Sequence, residues 1–315
     1  MTTTPNHLAD WPFPRIGLGT GTWPADPGVP QVQFTELVRL VLAGPKPFFD
    51  IAVLYSLGLS ETRLGAALQG VPRESYLLAS KAGWDISQGD PARNNFSRDF
   101  ILRSVEASLK RLGVSYLDIA HIHDPDGCLQ QALDEALPAL GELRDQGVIR
   151  AVGSGMNQWQ MLSEFAQHAD VDCFLLAGRY TLLEQTALPL LEMCQHKGLT
   201  LVLGGVYNSG ILVTGPVPGA RYNYAPAPPE ILERVRRLEA VCARHGVSLQ
   251  AAALQFPVAH PAVRMLIMGA ASVAEYASTL AAAEAPIPPA LWADLRAEGL
   301  LAAEAAVPKA GPHAA

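Results

Sequence analysis

Two hydrophobic periods alternate along the 315-residue chain. Short apolar runs bounded by Gly, Pro or Asp have the length and residue content of buried strands. Longer segments with apolar residues three and four apart read as amphipathic helices. The predicted strands are Ile16 to Thr20, Phe48 to Asp50, Tyr76 to Lys81, Tyr116 to His123, Val148 to Gly153, Val171 to Leu176, Leu199 to Leu203 and Val263 to Met268. Helical pattern follows each in turn. It covers Gln31 to Leu42, Ser60 to Gln69 with Ser60 as N-cap, Ser97 to Gly113 and Leu129 to Gln146. It resumes over Gln158 to Ala166, Thr186 to His196, Glu230 to Arg244, Leu249 to Phe256 and Ser272 to Ala283. This alternation, without a composition break, predicts an α/β chain folded as one (β/α)8 TIM barrel domain over 1–315. A doubly wound open sheet is the alternative. A further amphipathic segment, Trp292 to Leu301, precedes an Ala/Pro-rich tail, 302–315, expected to fray. Gly204 to Pro229 is a long Gly/Pro-rich connection of the kind that carries function.

Composition narrows the classes. At 49% hydrophobic residues the chain can fill one large core. Its net charge is −7, and no basic run exceeds the pairs Lys110-Arg111 and Arg236-Arg237, so nucleic-acid or anionic-membrane partners are not expected. No apolar stretch is long enough to span a bilayer, and Met1 to Gly17 has Pro and charges where a signal peptide needs an apolar run. The expectation is a cytoplasmic protein. Cys128, Cys173, Cys194 and Cys242 are widely spaced without a Cys-x-x-Cys, and read as reduced core thiols with no metal site.

Chemistry concentrates at strand ends. Asp50, Lys81 and His123 each close a predicted strand, and Tyr55 lies in the loop after the second. Consecutive barrel strands would bring all four to the C-terminal mouth, where barrel active sites lie. Lys81 follows Leu77-Leu78-Ala79-Ser80, so its ammonium is half buried. An unpaired buried ammonium costs several kcal/mol, which makes Asp50 its partner. Alone, that pair stands equally as a structural ion pair. Tyr55 shifts the reading toward chemistry, because a phenol of pKa about 10 beside a cation has its phenolate favoured. His121 shares the face of His123 one layer deeper, as a satisfied core histidine. Asp124, in Asp124-Pro125-Asp126, either offers its carboxylate to a ligand or forms a turn. Trp23 and Trp84, in loops after the first and third strands, either wall a substrate pocket or simply pack. Gly17-Leu18-Gly19-Thr20-Gly21-Thr22 fails as a dinucleotide fingerprint, since Thr22 takes the third glycine position and Trp23-Pro24 disrupts a helix. Gly269-Ala270-Ala271-Ser272, ahead of a helix, fits anion binding at a helix N-terminus.

Asp50, Tyr55, the run from Leu59 to Gly65, Lys81 and His123 resemble the aldo-keto reductases, and the resemblance extends from Ile16 to Leu301. Asn94 to Asp99, His123 to Asp126, Gly155-Met156-Asn157 and Arg179 to Leu183 are most similar to aldose 1-dehydrogenases. That group includes L-fucose, D-threo-aldose and L-galactose dehydrogenases, with pyridoxal 4-dehydrogenase nearby. The resemblance implies hydride transfer with a nicotinamide cofactor and proton transfer by Tyr55. Lys81 and Asp50 would assist, and His123 would orient the reacting oxygen. It implies that Gly19, Thr20, Gly21 and Asp50 pass near the nicotinamide and Asn157 near its carboxamide. Gly204 stands where many relatives carry the stacking tyrosine, for which Tyr207 could substitute. Asn208, Ser209 and Gly210 would face the pyrophosphate, and Gly269, Ala270 and Ser272 the adenosine end. Glu275 replaces the arginine of NADP-using relatives, so NAD is the preferred cofactor and NADP the second. The implied substrate is a small sugar, with pyridoxal or a general carbonyl compound as alternatives. A non-catalytic cofactor-binding regulatory subunit is the reading of another class, opposed by the intact tetrad. A short-chain dehydrogenase is excluded, because no tyrosine is followed four residues later by lysine. The oligomeric state stays open.

Overall fold

The computed structural model describes residues 8, 10–89 and 92–309. Eight parallel strands close into a barrel: β1 (Ile16–Gly19), β2 (Phe48–Asp50), β3 (Leu77–Ala82), β4 (Leu117–His123), β5 (Ile149–Met156), β6 (Cys173–Ala177), β7 (Thr200–Gly204) and β8 (Val263–Gly269). Each pairs with its neighbours in chain order, and β8 closes on β1 with Leu18 opposite Met268. The open-sheet alternative is therefore overturned. The longer helices are α1 (Gln31–Leu42), α2 (Leu59–Ala67), α3 (Arg98–Leu112), α4 (Leu137–Asp145), α5 (Trp159–His168), α6 (Leu188–Lys197), α7 (Pro229–Arg244), α8 (Leu249–Gln255), α9 (Val273–Glu284) and α10 (Pro289–Ala297).

Strand alternation sorts side chains into two cores. Leu18, Phe49, Leu78, Ile122, Phe174, Leu203 and Leu266 point outward and are buried in the layer shared with the helices. Phe48, Ala79, Ile119, Ala151, Cys173, Val202 and Met265 point inward and fill the barrel. Leu8 and Phe13 join this inner cluster, with the Phe13 ring 6.0 Å from that of Phe48 near the start of β2.

The inward positions at the C-terminal ends follow a different rule. On β2, β3 and β4 they are Asp50, Lys81 and His123; on β1, β5, β6, β7 and β8 they are Gly19, Gly155, Ala177, Gly204 and Gly269. A Cβ at Gly19 would meet Ile267 Cγ2 at 2.7 Å, and one at Gly269 would meet Thr22 Cγ2 at 2.7 Å. One arc of the mouth is polar, and the rest is small enough to leave a cleft.

Local differences from expectation have identifiable causes. Helix α2 starts at Leu59 after Gly58, which takes the left-handed φ of 85° that a glycine tolerates, so Ser60 lies inside the first turn and is not its N-cap. The expected helix Leu129 to Gln146 is interrupted by a π-turn at Ala132–Ala136. Strand β5 runs on to Met156. The loops after β3 and β7 contain short antiparallel hairpins, Trp84–Asp85 with Arg93–Asn94 and Arg221–Tyr222 with Ala225–Pro226. The tail does not fray at Ala302: Ala305 is fully buried and its carbonyl accepts from Arg296. Residues 310–315 of that expected tail lie outside those described. Among the described residues no helix is long and apolar enough to cross a membrane, and none of their His, Cys, Asp and Glu side chains group as a metal site.

Candidate active site

Lys81 projects inward from β3 between β2 and β4, and its surroundings leave it no choice of partner. Its Nζ donates to Asp50 Oδ2 at 2.6 Å, to the Ile51 carbonyl at 3.0 Å and to Tyr55 Oη at 3.1 Å. Three N–H groups meet three acceptors. Burial alone would push the ammonium down, but Asp50 and Tyr55 outweigh it and hold Lys81 above the ordinary lysine range. Burial likewise raises Asp50 against the pull of Lys81. The short three-acceptor geometry is that of an ammonium and a carboxylate, and we assign the pair as charged.

Tyr55 is held by the turn after β2, where Ser56 and Leu57 take φ of 50° and 51°. Its ring meets that of His123 edge-on, 5.8 Å between centroids. Lys81 favours the phenolate by charge and by hydrogen bond, as expected, but the net lowering expected from it is corrected. Burial is the largest influence and raises the Tyr55 pKa, while Asp50 partly cancels Lys81 and Asp124 adds to the rise. Beside a nearly neutral ion pair, desolvation wins. His123 is buried and held neutral, its pKa pushed well below the ordinary value by desolvation, Lys81 and His121. Its Nε2 lies 3.5 Å from Asp124 Oδ2, and its Nδ1 has no hydrogen-bond partner. His121 is also neutral, its pKa pushed down to about 3 by burial and Lys81. The expectation that it is satisfied fails, because its Nδ1 is buried without a partner; the ring occupies the space that a Cβ on Gly153 would need.

A cleft of about 650 Å³ opens beside Tyr55. Of the residues named from sequence, Gly19, Gly21, Asp50, Tyr55, Asn157 and Gly204 line it, as do Tyr207, Asn208, Ser209, Gly210 and Gly269. Asn157 is positioned by its Nδ2 donating to the Ala177 carbonyl at 2.9 Å. Asn208 donates to the Gly178 carbonyl at 3.3 Å, leaving its buried Oδ1 unpartnered. Tyr207 Oη accepts from Gln250 at 3.4 Å.

Four other residues expected near the cofactor are not among those lining the cleft. Thr20 and Ala270 are fully buried, for each follows an inward glycine and so points toward the helices. Thr20 donates to the Asp50 carbonyl. Ser272 caps α9, its Oγ accepting from Glu275 N at 3.2 Å, and Glu275 Oε2 reaches past the cap to accept from Ala271 N at 2.8 Å. Trp23 does not wall a substrate pocket either. It is buried against Phe34 and donates to the Ala270 carbonyl at 3.0 Å. Trp84 is half buried and donates to the His123 carbonyl at 2.9 Å, which places it at the tetrad, with Asp124 on the same lip. Neither belongs to the lining of the cleft.

Sequence reasoning missed part of the wall. Gly178, Gly205, Asn223 and Tyr224 line the cleft, as does Arg221, which donates to the Tyr224 carbonyl. The signal was the Tyr-Asn-Tyr of the long connection, where Asn223 and Tyr224 take the positive φ values of a two-residue hairpin turn without the usual glycine. Arg179 donates to Asn223 Oδ1 at 2.8 Å and fixes the hairpin against the loop after β6.

A family profile described as the Aldo/keto reductase family matches residues 15–298. The chain is 36% identical over 270 residues to a D-threo-aldose 1-dehydrogenase of Pseudomonas sp, covering 79% of this chain and 82% of the relative. It is 32% identical over 321 residues to a pyridoxal 4-dehydrogenase of Microbacterium luteolum, covering 90% and 94%. Among solved structures, the holo form of an aldo-keto reductase from Bacillus halodurans superposes with a TM-score of 0.74 at 25% identity, over 95% of both chains.

Proposed function

The chain belongs to the aldo/keto reductase family, whose members are NAD(P)-dependent oxidoreductases, and on that premise we propose that it oxidises an aldose of the L-fucose, L-galactose or D-arabinose type at C1 to its lactone. The observation that carries this reading is the hold on Lys81. One buried ammonium spans Asp50 and Tyr55, at the wall of a cleft large enough for a small ligand beside a cofactor.

The residues present fit a nicotinamide dinucleotide. Glycines at the inward ends of β1, β7 and β8 line the cleft, and Asn208 Oδ1 is buried and unpartnered at its edge. When bound, that group accepts the hydride. Asp50, Asn157 and Tyr207 would hold the nicotinamide end, and Asn208, Ser209, Gly210 and Arg221 the pyrophosphate. Tyr55 takes the C1 hydroxyl proton as general base, its phenolate stabilised by the ammonium 3.1 Å away. Asp50 keeps that ammonium in place. His123, neutral, donates from Nε2 to the reacting oxygen.

Similarity to the D-threo-aldose enzyme supports the sugar reading. Oxidation of pyridoxal is the second reading, favoured by the relative that matches 90% of the chain. NAD is proposed over NADP because Glu275 sets a carboxylate at the N-terminus of α9, where a 2′-phosphate would be repelled. The test is initial rates on L-fucose, L-galactose, D-arabinose and pyridoxal with each cofactor. NAD-dependent turnover of the three sugars as a group, with lactone identified by mass spectrometry, is expected. Turnover of pyridoxal alone would overturn the sugar assignment.

A further inference from the structure

We infer that Asp124 is a specificity residue, whose carboxylate accepts a hydrogen bond from the hydroxyl on the carbon next to the reacting one. The site then selects uncharged, α-hydroxylated substrates. The inference rests on reading the tetrad as an oxidoreductase site.

Carboxylates elsewhere in this chain are met by cations and N–H or O–H groups. Asp118 is met by Arg73 at 2.6 Å, Arg150 at 2.9 Å and Leu78 N at 2.8 Å. Asp172 is met by Arg144 at 2.9 Å and Val152 N at 2.7 Å. Glu61 is met by Arg111 at 2.6 Å and Ser80 at 2.8 Å. Asp124 breaks this pattern. Its side chain is 31% exposed, and the one group near its carboxylate among the described residues is His123 Nε2, at 3.5 Å. That is longer than a good hydrogen bond. A partly exposed carboxylate with no good donor from the protein is open to one from a ligand.

The backbone aims it there. Asp124 has a φ of 45°, unusual for a residue with a Cβ, and its N–H donates to the Gly155 carbonyl at 3.0 Å. Trp84 fixes the preceding carbonyl at 2.9 Å. These constraints hold the carboxylate beside His123 Nε2 while leaving it partly exposed. Its position favours the neutral His123 tautomer with the proton on Nε2, the one that can donate to a reacting oxygen. When substrate binds, that N–H turns to the reacting oxygen, and the neighbouring hydroxyl becomes the donor to Asp124. An anionic group at the same place would be repelled.

The electrostatics agree. Burial raises the Asp124 pKa to about 6, Asp126 from the same loop adds to the rise, and Lys81 from β3 opposes it. Tyr55 and His123, the other titratable groups facing it, are neutral at that pH, since one is raised and the other lowered. The accepting carboxylate is therefore present above about pH 6 and lost below it.

The experiment compares kcat/KM for reduction of glyceraldehyde and of propanal, which lacks the hydroxyls, in wild type, Asp124→Ala and Asp124→Asn. Dinucleotide titration by fluorescence reports that each variant is folded. Wild type is expected to favour glyceraldehyde by roughly tenfold or more, the scale for a hydrogen bond to a charged group. Asp124→Ala should lower that preference by about tenfold, chiefly through KM, and Asp124→Asn should keep part of it. The wild-type profile for glyceraldehyde should fall below about pH 6, and Asp124→Asn should lack that limb. An unchanged preference in Asp124→Ala would overturn the inference. So would equal losses on both substrates, the mark of a residue that only supports His123, or wild-type failure to reduce glyceraldehyde. If the preference behaves as expected but wild type oxidises no aldose, only the sugar assignment above falls.

Discussion

At the scale of single residues, Tyr55 carries the clearest expectation. Replacing it with Phe deletes one oxygen and leaves the ring on His123, so dinucleotide affinity should stay within about threefold while kcat falls by at least ~10²-fold, the usual worth of a general acid–base group. Fluorescence titration beside initial rates checks both, and near-wild-type turnover would remove Tyr55 from the chemistry. Its raised pKa gives a sign to the pH profile. Oxidation needs the phenolate, so its rate should climb through the alkaline range toward a midpoint above the ordinary tyrosine value of about 10. Reduction uses the protonated phenol and should stay level near neutrality. The positions of Asp50, Lys81 and His123 were legible because each ends an apolar run on the inward parity of its strand. The direction of the Tyr55 shift was not, because it depends on how completely Asp50 cancels Lys81 and on burial, neither of which a strand pattern contains. Parity also accounts for Thr20 and Ala270, which stand one step beyond inward glycines and so face the helices.

At the scale of elements, the N-terminus of α9 decides cofactor choice. The segment before α9 reads as an anion site in the sequence; Ser272 instead caps the helix, and Glu275 accepts from Ala271 N. Glu275→Arg removes that carboxylate and adds a cation beside exposed backbone N–H groups. The ratio of kcat/KM for NADP to that for NAD should rise by tenfold or more, measured by steady-state kinetics with saturating aldose. A wild-type enzyme that already prefers NADP would contradict the assignment. The hairpin Arg221–Pro226 was not legible. Its strands are two residues each, and its turn uses Asn223 and Tyr224 at positive φ without the glycine that usually announces such a turn. Its contacts with Arg179, Ser209 and Glu184 give it a defined place on the cleft wall.

At the scale of the whole molecule, barrel closure turns residues far apart in sequence into one mouth. The polar arc from β2 to β4 supplies proton chemistry, and the glycine arc across β1, β7 and β8 supplies room. The eight-fold alternation made the barrel readable, since the strands are apolar runs and each helix follows with its own period. The width of the cleft was not readable, because it depends on glycines spread across strands that meet only when the barrel closes. The division of labour in this mouth is tested most directly by following the hydrogen on C1 of an aldose. L-fucose deuterated at C1 is incubated with the enzyme and NAD, and the products are analysed by mass spectrometry. The expected result is deuterium in the reduced nicotinamide ring and an unlabelled lactone, formed more slowly than from protiated sugar. Reduced nicotinamide free of deuterium, or no lactone in the presence of NAD and active enzyme, would contradict it.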